Sequence, residues 1–358
     1  MNPIDKIKPA VRAISAYTLP PYRTQIKINQ NENPFDMPVR IKEEVLRRLS
    51  DRAWSRYPDF VPEELLETLA AFAGWKPDGV LAGNGSNELI QAALMVTVSS
   101  GARVLICEPT FSLYRQIITI LGGEVVNVPL TENMCFDISA IREAALPDKV
   151  SVIILCSPNN PTGSLIDSEC IRTLAKDFDG IIILDEAYHE FSGQTVVPLL
   201  EELDNLIVLR TFSKAMAMAG LRVGYLLSSP EITHEVHKGT LPYNINFFSV
   251  TAACVACRQY DLLKPSVDIL IAERERVTLA LASNAGVEPF PSRANFILLR
   301  LTKEPRLVFD ELARKGILVR DVSRYPMLSD CLRISIGTPE ENDRLIESLI
   351  EIFGRRQL

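Results

Sequence analysis

The sequence predicts an α/β fold: a three-layer sandwich around a mainly parallel seven-stranded sheet, followed by a smaller α+β domain. Three observations carry that expectation. From about residue 65 to 245, short β-branched runs alternate with longer amphipathic segments, the rhythm of a sheet covered by helices on both sides. Several of those runs are apolar on both faces, as strands buried in a parallel sheet are. After Phe248 the rhythm changes to long helical patterns interrupted by a few strands.

Taken in order, residues 1–30 carry prolines at 3, 9, 20 and 21 and read as an extended arm. A large domain is expected over 31–246, and its first helix, at about 38–50, is a candidate to pack with the small domain. The strands of the sheet are expected at 79–82, 102–107, 124–129, 150–156, 180–184, 206–209 and 223–227, with helices such as 88–99 and 168–178 in the gaps. The small domain is expected over 247–358. Its helices fall at 249–260, 264–285, 306–315 and 339–353, and its strands at 296–301, 317–320 and 332–336.

At 358 residues the chain is long enough for a large core. An apolar fraction of 47% and a charged fraction of 23% are those of an ordinary globular protein. The net charge of −7, without a long block of one sign, gives no support to a nucleic-acid or membrane partner. A small anionic substrate would have to be met by local arginines. The start lacks the pattern of a signal peptide and no apolar stretch is long enough to span a bilayer, so the expectation is a cytoplasmic protein. Seven scattered cysteines fit reduced thiols. The single CxxC, Cys254 to Cys257, lies in an Ala-rich helical stretch with no histidine nearby, so a metal is not expected. His189, His234 and His237 are expected to be solvated or locally satisfied.

In sheets of this kind ligands sit at the carboxyl ends of the strands, and the suggestive residues lie there. Gly83-Asn84-Gly85-Ser86-Asn87-Glu88 follows one strand and opens a helix, so free backbone N–H groups could meet an anion. A dinucleotide fingerprint needs a third glycine where Glu88 stands. Thr211 and Ser213 can add hydroxyl donors, and Arg222, between Gly220 and Gly224, a guanidinium fork. Asp185 ends an apolar strand, where an unpaired charge is costly. It would suit a protonated ring nitrogen, or simply cap the next element. Asn160, in Asn159-Asn160-Pro161-Thr162-Gly163, and Tyr188 could hold a phenolic oxygen, although the same Asn-Pro-Thr-Gly stretch is also good turn chemistry. Phe111 could stack on a ring or fill the core. Lys214, in Thr211-Phe212-Ser213-Lys214, is the amine these groups would surround. A lysine, a held phosphate, a carboxylate and a phenol are what pyridoxal 5′-phosphate (PLP) requires, with Lys214 as covalent attachment point and as the base and acid of the proton shift.

In this order the motifs resemble those of the fold-type I PLP-dependent aminotransferases, and among them the histidinol-phosphate aminotransferase family. The likeness includes Asn31-Glu32-Asn33-Pro34, Arg56-Tyr57-Pro58-Asp59, Pro109-Thr110-Phe111, Asp185 to Tyr188, Pro242 to Asn246 and Leu332-Arg333-Ile334-Ser335-Ile336-Gly337, and it spans nearly the whole chain. It implies that Lys214 binds PLP, Asp185 pairs with its ring nitrogen, and Asn160 and Tyr188 hold its ring oxygen. It also implies that Gly85, Ser86, Thr211, Ser213 and Arg222 hold its phosphate, with Asn87 and Phe111 also among the cofactor-binding residues. Tyr57 would reach the phosphate from the partner subunit of a homodimer. Arg333 would receive the substrate's carboxylate, Arg320 the substrate's phosphate, and Tyr17 would close over the substrate. Two departures concern the pocket: Asn87 stands where the family often has aspartate, and Ala215-Met216-Ala217-Met218 replaces the usual Ala-Phe-Gly-Leu.

The implied activity is amino transfer from histidinol phosphate, a phosphorylated amino alcohol, to the 2-oxo acid 2-oxoglutarate. An aromatic amino-acid aminotransferase would share every cofactor residue. A threonine-phosphate decarboxylase would use the same arginines but release CO₂. A catalytically silent PLP-binding regulator would need an appended DNA-binding module, and the chain shows no basic stripe for one.

Overall fold

The computed structural model describes residues 2–16, 24–146 and 150–354. A two-residue strand, β1 (Ile26–Lys27), precedes the seven that build the central sheet. These are β2 (Val80–Gly83), β3 (Arg103–Ile106), β4 (Glu124–Asn127), β5 (Val152–Cys156), β6 (Ile181–Asp185), β7 (Leu206–Thr211) and β8 (Gly224–Leu227). All seven runs expected from the sequence are in it, and the order across the sheet is β2-β8-β7-β6-β5-β3-β4. Every neighbouring pair is parallel except those of β8, which runs antiparallel to both β2 and β7. That reversal brings the chemistry together. It sets Gly224 opposite Gly83 on one side and Thr211 on the other.

Strand residues alternate between two core layers, as the two-residue period of a strand demands. Leu105, Ile153, Leu155, Leu184 and Val208 belong to one apolar cluster. Val104, Ile106, Ile154, Ile183 and Ile207 belong to a second on the other face, with Leu89, Ile90 and Ile118 of the helices Ser86–Thr97 and Leu113–Leu121. Each fully buried Leu or Ile contributes about 1.5–3 kcal/mol, so the sheet is the rigid base on which the strand-end loops are held.

The smaller part contains β9 (Val287–Pro289), β10 (Phe296–Leu301), β11 (Ile317–Leu318), β12 (Arg320–Asp321) and β13 (Cys331–Ser335). Four of them form an antiparallel sheet in the order β12-β13-β10-β9. The single strand expected over 317–320 is two short ones. β11 pairs in parallel with β1, and after Val319 the chain leaves that pairing to join β13 as β12. The last helix, Pro339–Phe353, starts with a reciprocal cap in which Thr338 and Glu341 each accept from the other's backbone.

Two details differ from the expected layout. The arm is not extended throughout: Pro3–Lys6 is a 3-10 turn and Pro9–Ala13 a short helix. Proline's fixed φ suits the first helical position, so Pro3 and Pro9 begin turns rather than prevent them. The core also runs across the expected boundary at 246/247. Helix Val39–Leu49 packs on helix Phe247–Arg258, and both bury side chains (Ile41 and Val45, Ala253 and Val255) in the cluster that holds Leu105 and Ile153 of the sheet. The separate cluster of the smaller part takes in Val267 and Leu270 of helix Lys264–Ala282. Among the described residues no helix is long and apolar enough to cross a membrane.

Candidate active site

A cavity of about 410 Å³ opens at the carboxyl ends of β5, β6 and β7, bounded on its other side by β12 and β13. It is of the size that takes a small cofactor and substrate. One end is a cup for an anion. Gly85 closes the turn after β2 with φ +85°, and a β-carbon there would lie 2.4 Å from Arg222 Nη2. Only glycine lets the guanidinium come so close. Gly224 is equally constrained, since a β-carbon on it would fall 2.3 Å from the Ser86 nitrogen. Glu88, where a third glycine would stand in a dinucleotide site, accepts from the Asn84 N–H (2.6 Å) and Asn244 Nδ2 (2.9 Å), pinning the turn. Ser86 and Asn87 then lead into the helix with their N–H groups unclaimed by its ladder. Arg222 Nη1 donates to Ser213 Oγ and to the Ala219 carbonyl, both at 3.0 Å, and Thr211 Oγ1 donates to Ser213 Oγ at 3.0 Å.

Asp185, the last residue of β6, lies farther in and is 4% exposed. Its Oδ1 accepts from the Ala187 N–H at 3.0 Å, so it does cap the following turn. Its Oδ2 accepts from the Tyr114 hydroxyl at 2.6 Å. Burial pushes its pKa up, opposed first by the Tyr114 hydrogen bond. Tyr188 is also buried, and burial raises its pKa so that it remains a phenol. Its hydroxyl accepts from Asn31 Nδ2 at 3.1 Å. Asn31 is itself held by Ser335, through its N–H and its Oδ1, each at 2.8 Å. Asn160 Oδ1 accepts from Arg333 Nη1, while Arg333 Nη2 donates to the Asn29 carbonyl at 2.7 Å.

Lys214 lies between these groups, half-buried on the loop after β7. Its Nζ donates to the Gln30 carbonyl at 2.9 Å and sits 5.9 Å from the Tyr188 ring centre. Burial first, then the charges of Arg333 and Arg222 set against Glu32, lower its pKa to about 8. Around pH 8 and above, a large share of the amine is therefore neutral, as a nucleophile and base requires.

The family model for aminotransferase class I and II matches residues 23–349. A histidinol-phosphate aminotransferase from Chlorobaculum parvum is 41% identical over 345 residues, covering 96% of this chain and 97% of its relative. The chain belongs to the histidinol-phosphate aminotransferase family. The solved histidinol-phosphate aminotransferase of Sinorhizobium meliloti, in complex with pyridoxal-5′-phosphate, superposes with a TM-score of 0.87 at 26% identity, covering 97% of each chain. An L-threonine-O-3-phosphate decarboxylase from Porphyromonas gingivalis, at 24% identity and a TM-score of 0.81 over 91% of this chain and 99% of its own, shares the fold alone.

In this aminotransferase the donor set fits PLP. The Gly85–Arg222 cup matches a phosphate, Asp185 a ring nitrogen, Tyr188 and Asn160 a ring oxygen, and Lys214 an aldehyde. Ser86, Asn87, Phe111, Asn160, Asp185, Tyr188, Thr211, Ser213, Lys214, Arg222, Arg320 and Arg333 all border the one cavity, with Gly85 beneath Arg222. Tyr57 does not. It is exposed on the surface, stacked at 4.7 Å on the Tyr243 ring. Tyr17 lies outside the described residues. Gln30, Asn31 and Tyr325 also line the cavity, and Tyr114 holds Asp185 from behind it, although the sequence motifs assign none of them a role. For Asn31 the Asn-Glu-Asn-Pro motif was a usable signal. Tyr114 gave none, because an aromatic on the buried side of an amphipathic helix reads as core.

Proposed function

We propose that the enzyme uses PLP to transfer the amino group of histidinol phosphate to 2-oxoglutarate, giving imidazole acetol phosphate and glutamate. The observation that carries this reading is the pairing of Arg320 with Arg333 across β12 and β13, both at the rim of the cavity that holds Lys214. Two such guanidinium groups offer forks for a phosphate and a carboxylate, and the two substrates present one or the other at their far ends. Bound PLP supplies the aldehyde that takes up the amine and the protonated ring that withdraws the electron pair when the substrate C–H bond breaks.

The chain's own residues do the rest. Lys214, with its lowered pKa, would take the proton from the substrate carbon and deliver it to the carbon of the cofactor's aldehyde group. Asp185, a buried carboxylate with two donors already fixed on it, keeps a proton on the ring nitrogen. Tyr188 and Asn160 orient the ring, while Arg222, Ser213, Thr211 and the helix start at Ser86 hold the phosphate. Arg333 binds carboxylate while keeping Asn160 in place, and Arg320 binds the substrate phosphate.

The same reading makes the enzyme a homodimer in which Tyr57 of the partner subunit reaches the phosphate cup. The exposure of Trp54, Tyr57, Phe60 and Leu241 on one chain supports a second copy covering them. The test is a pair of variants. Arg320→Ala should raise KM for histidinol phosphate at least tenfold with a smaller effect on glutamate in the reverse direction, and Arg333→Ala should impair both. Intact histidinol-phosphate turnover in Arg320→Ala would overturn the dual-arginine assignment.

A further inference from the structure

The geometry points to Tyr114 as a positioning residue that holds Asp185 charged and aimed at the cofactor ring. It rests on the assignment of Asp185 to the ring nitrogen proposed above.

Tyr114 is the second residue of helix Leu113–Leu121, three positions after Phe111. The Phe111 and Tyr114 rings meet edge to face at 5.5 Å and 88°. Phe111 borders the cavity, whereas Tyr114 is fully buried behind it. One helix start thus delivers a ring to the cavity wall and a hydroxyl to the carboxylate below. The Tyr114 hydroxyl is 2.6 Å from Asp185 Oδ2, the length of a charge-assisted hydrogen bond.

The bond can run in only one direction. Burial and then the Asp185 charge push the Tyr114 phenol well above its ordinary pKa, so it stays protonated and donates. Cys156, the other polar neighbour, is driven up by burial and the same carboxylate, so it stays a neutral thiol whose Sγ donates to the Pro158 carbonyl at 3.3 Å. Asp185 Oδ1 is already taken by the Ala187 N–H at 3.0 Å. With Oδ1 and Oδ2 each anchored from its own side, the carboxylate cannot rotate, and both donors favour its charged form against the burial that pushes its pKa up. Without Tyr114, burial would favour the neutral acid, and the ring nitrogen would lose the counter-charge that holds its proton.

The experiment compares wild type, Tyr114→Phe and Asp185→Asn in the PLP-loaded enzyme. Three readouts are taken: the pH midpoint of the visible absorbance of bound PLP, the PLP dissociation constant after resolution, and the thermal midpoint. Tyr114→Phe should move the absorbance midpoint upward by about half a unit or more and weaken PLP on the order of tenfold. It should also lower kcat on the order of tenfold with little change in KM. A variant that loses only thermal stability, with midpoint and dissociation constant unchanged, would show a merely structural hydroxyl and overturn the inference.

Asp185→Asn separates the two levels. If it perturbs the absorbance and Tyr114→Phe does not, the inference alone fails; if neither perturbs it, the assignment of Asp185 fails. Should Tyr114→Phe not fold, 3-fluorotyrosine at position 114, a stronger donor of nearly the same shape, should move the midpoint downward. No movement there would equally refute the role.

Discussion

Replacing Gly85 with alanine probes the anion cup at its tightest point. Gly85 has φ +85° and ψ 159°, a region essentially confined to glycine that costs any other residue about 1–3 kcal/mol. The added β-carbon would stand 2.4 Å from Arg222 Nη2 and 3.1 Å from its Cζ, so the guanidinium must move. Arg222 is fixed by its bonds to Ser213 and Ala219, and moving it removes the strongest donor of the cup. Losing one charged hydrogen bond to phosphate forfeits about 1.5–3 kcal/mol, roughly 10- to 150-fold in affinity. Titration of the PLP-free variant, followed by absorbance, should show a PLP dissociation constant raised within that range. The thermal midpoint of the PLP-free protein should fall as well, from the backbone cost alone. Wild-type PLP affinity in Gly85→Ala would refute the cup as the phosphate site.

Other outcomes follow from the same geometry. With the Lys214 amine lowered to about 8, PLP-free enzyme should capture PLP at a rate that rises through that pH and then levels off in stopped-flow absorbance. Stability should carry the matching sign. The unfolded lysine titrates near ~10.4, so between about 8 and 10.4 the unfolded chain binds the extra proton, and PLP-free stability rises with pH there by up to ~1.4 kcal/mol per unit. Lys214→Met should abolish transamination and flatten that slope in denaturant titrations. Away from the cavity, Glu186 pairs with buried Arg210 at 2.9 Å and also accepts from Thr195 Oγ1 (2.8 Å) and the Val196 N–H (2.7 Å). Glu186→Ala strands that cation and should cost about 3–5 kcal/mol in chemical unfolding. Arg333→Lys should fail to restore activity, because one ammonium cannot reach both Asn160 Oδ1 and the Asn29 carbonyl as the fork does.

The sheet was legible because its strands are buried on both faces. Continuous apolar runs such as Val152–Cys156 and Leu206–Thr211 stand out from the amphipathic helices between them. Their order and the reversal of β8 were not legible, since pairing is a tertiary choice that a run of apolar residues does not encode. A two-residue strand such as β1 is too short to show a period at all, and the break between β11 and β12 falls inside the single run expected over 317–320. Helix Phe247–Arg258 was assigned by position in the chain, whereas its Ala- and Cys-rich sides bury it in the larger core. The cavity residues were readable where backbone chemistry marks them: glycines at the turn, an acid at a strand end, a lysine after Ser213. Tyr114 carries no such mark. Its role is set by one hydroxyl contact with a residue 71 positions away.

The central claim is the reaction itself. Purified, PLP-loaded enzyme incubated with histidinol phosphate and 2-oxoglutarate should form imidazole acetol phosphate and glutamate in equal amounts, with no CO₂ above background. Turnover of phenylalanine or threonine phosphate without any of histidinol phosphate, or stoichiometric CO₂ release, would contradict it.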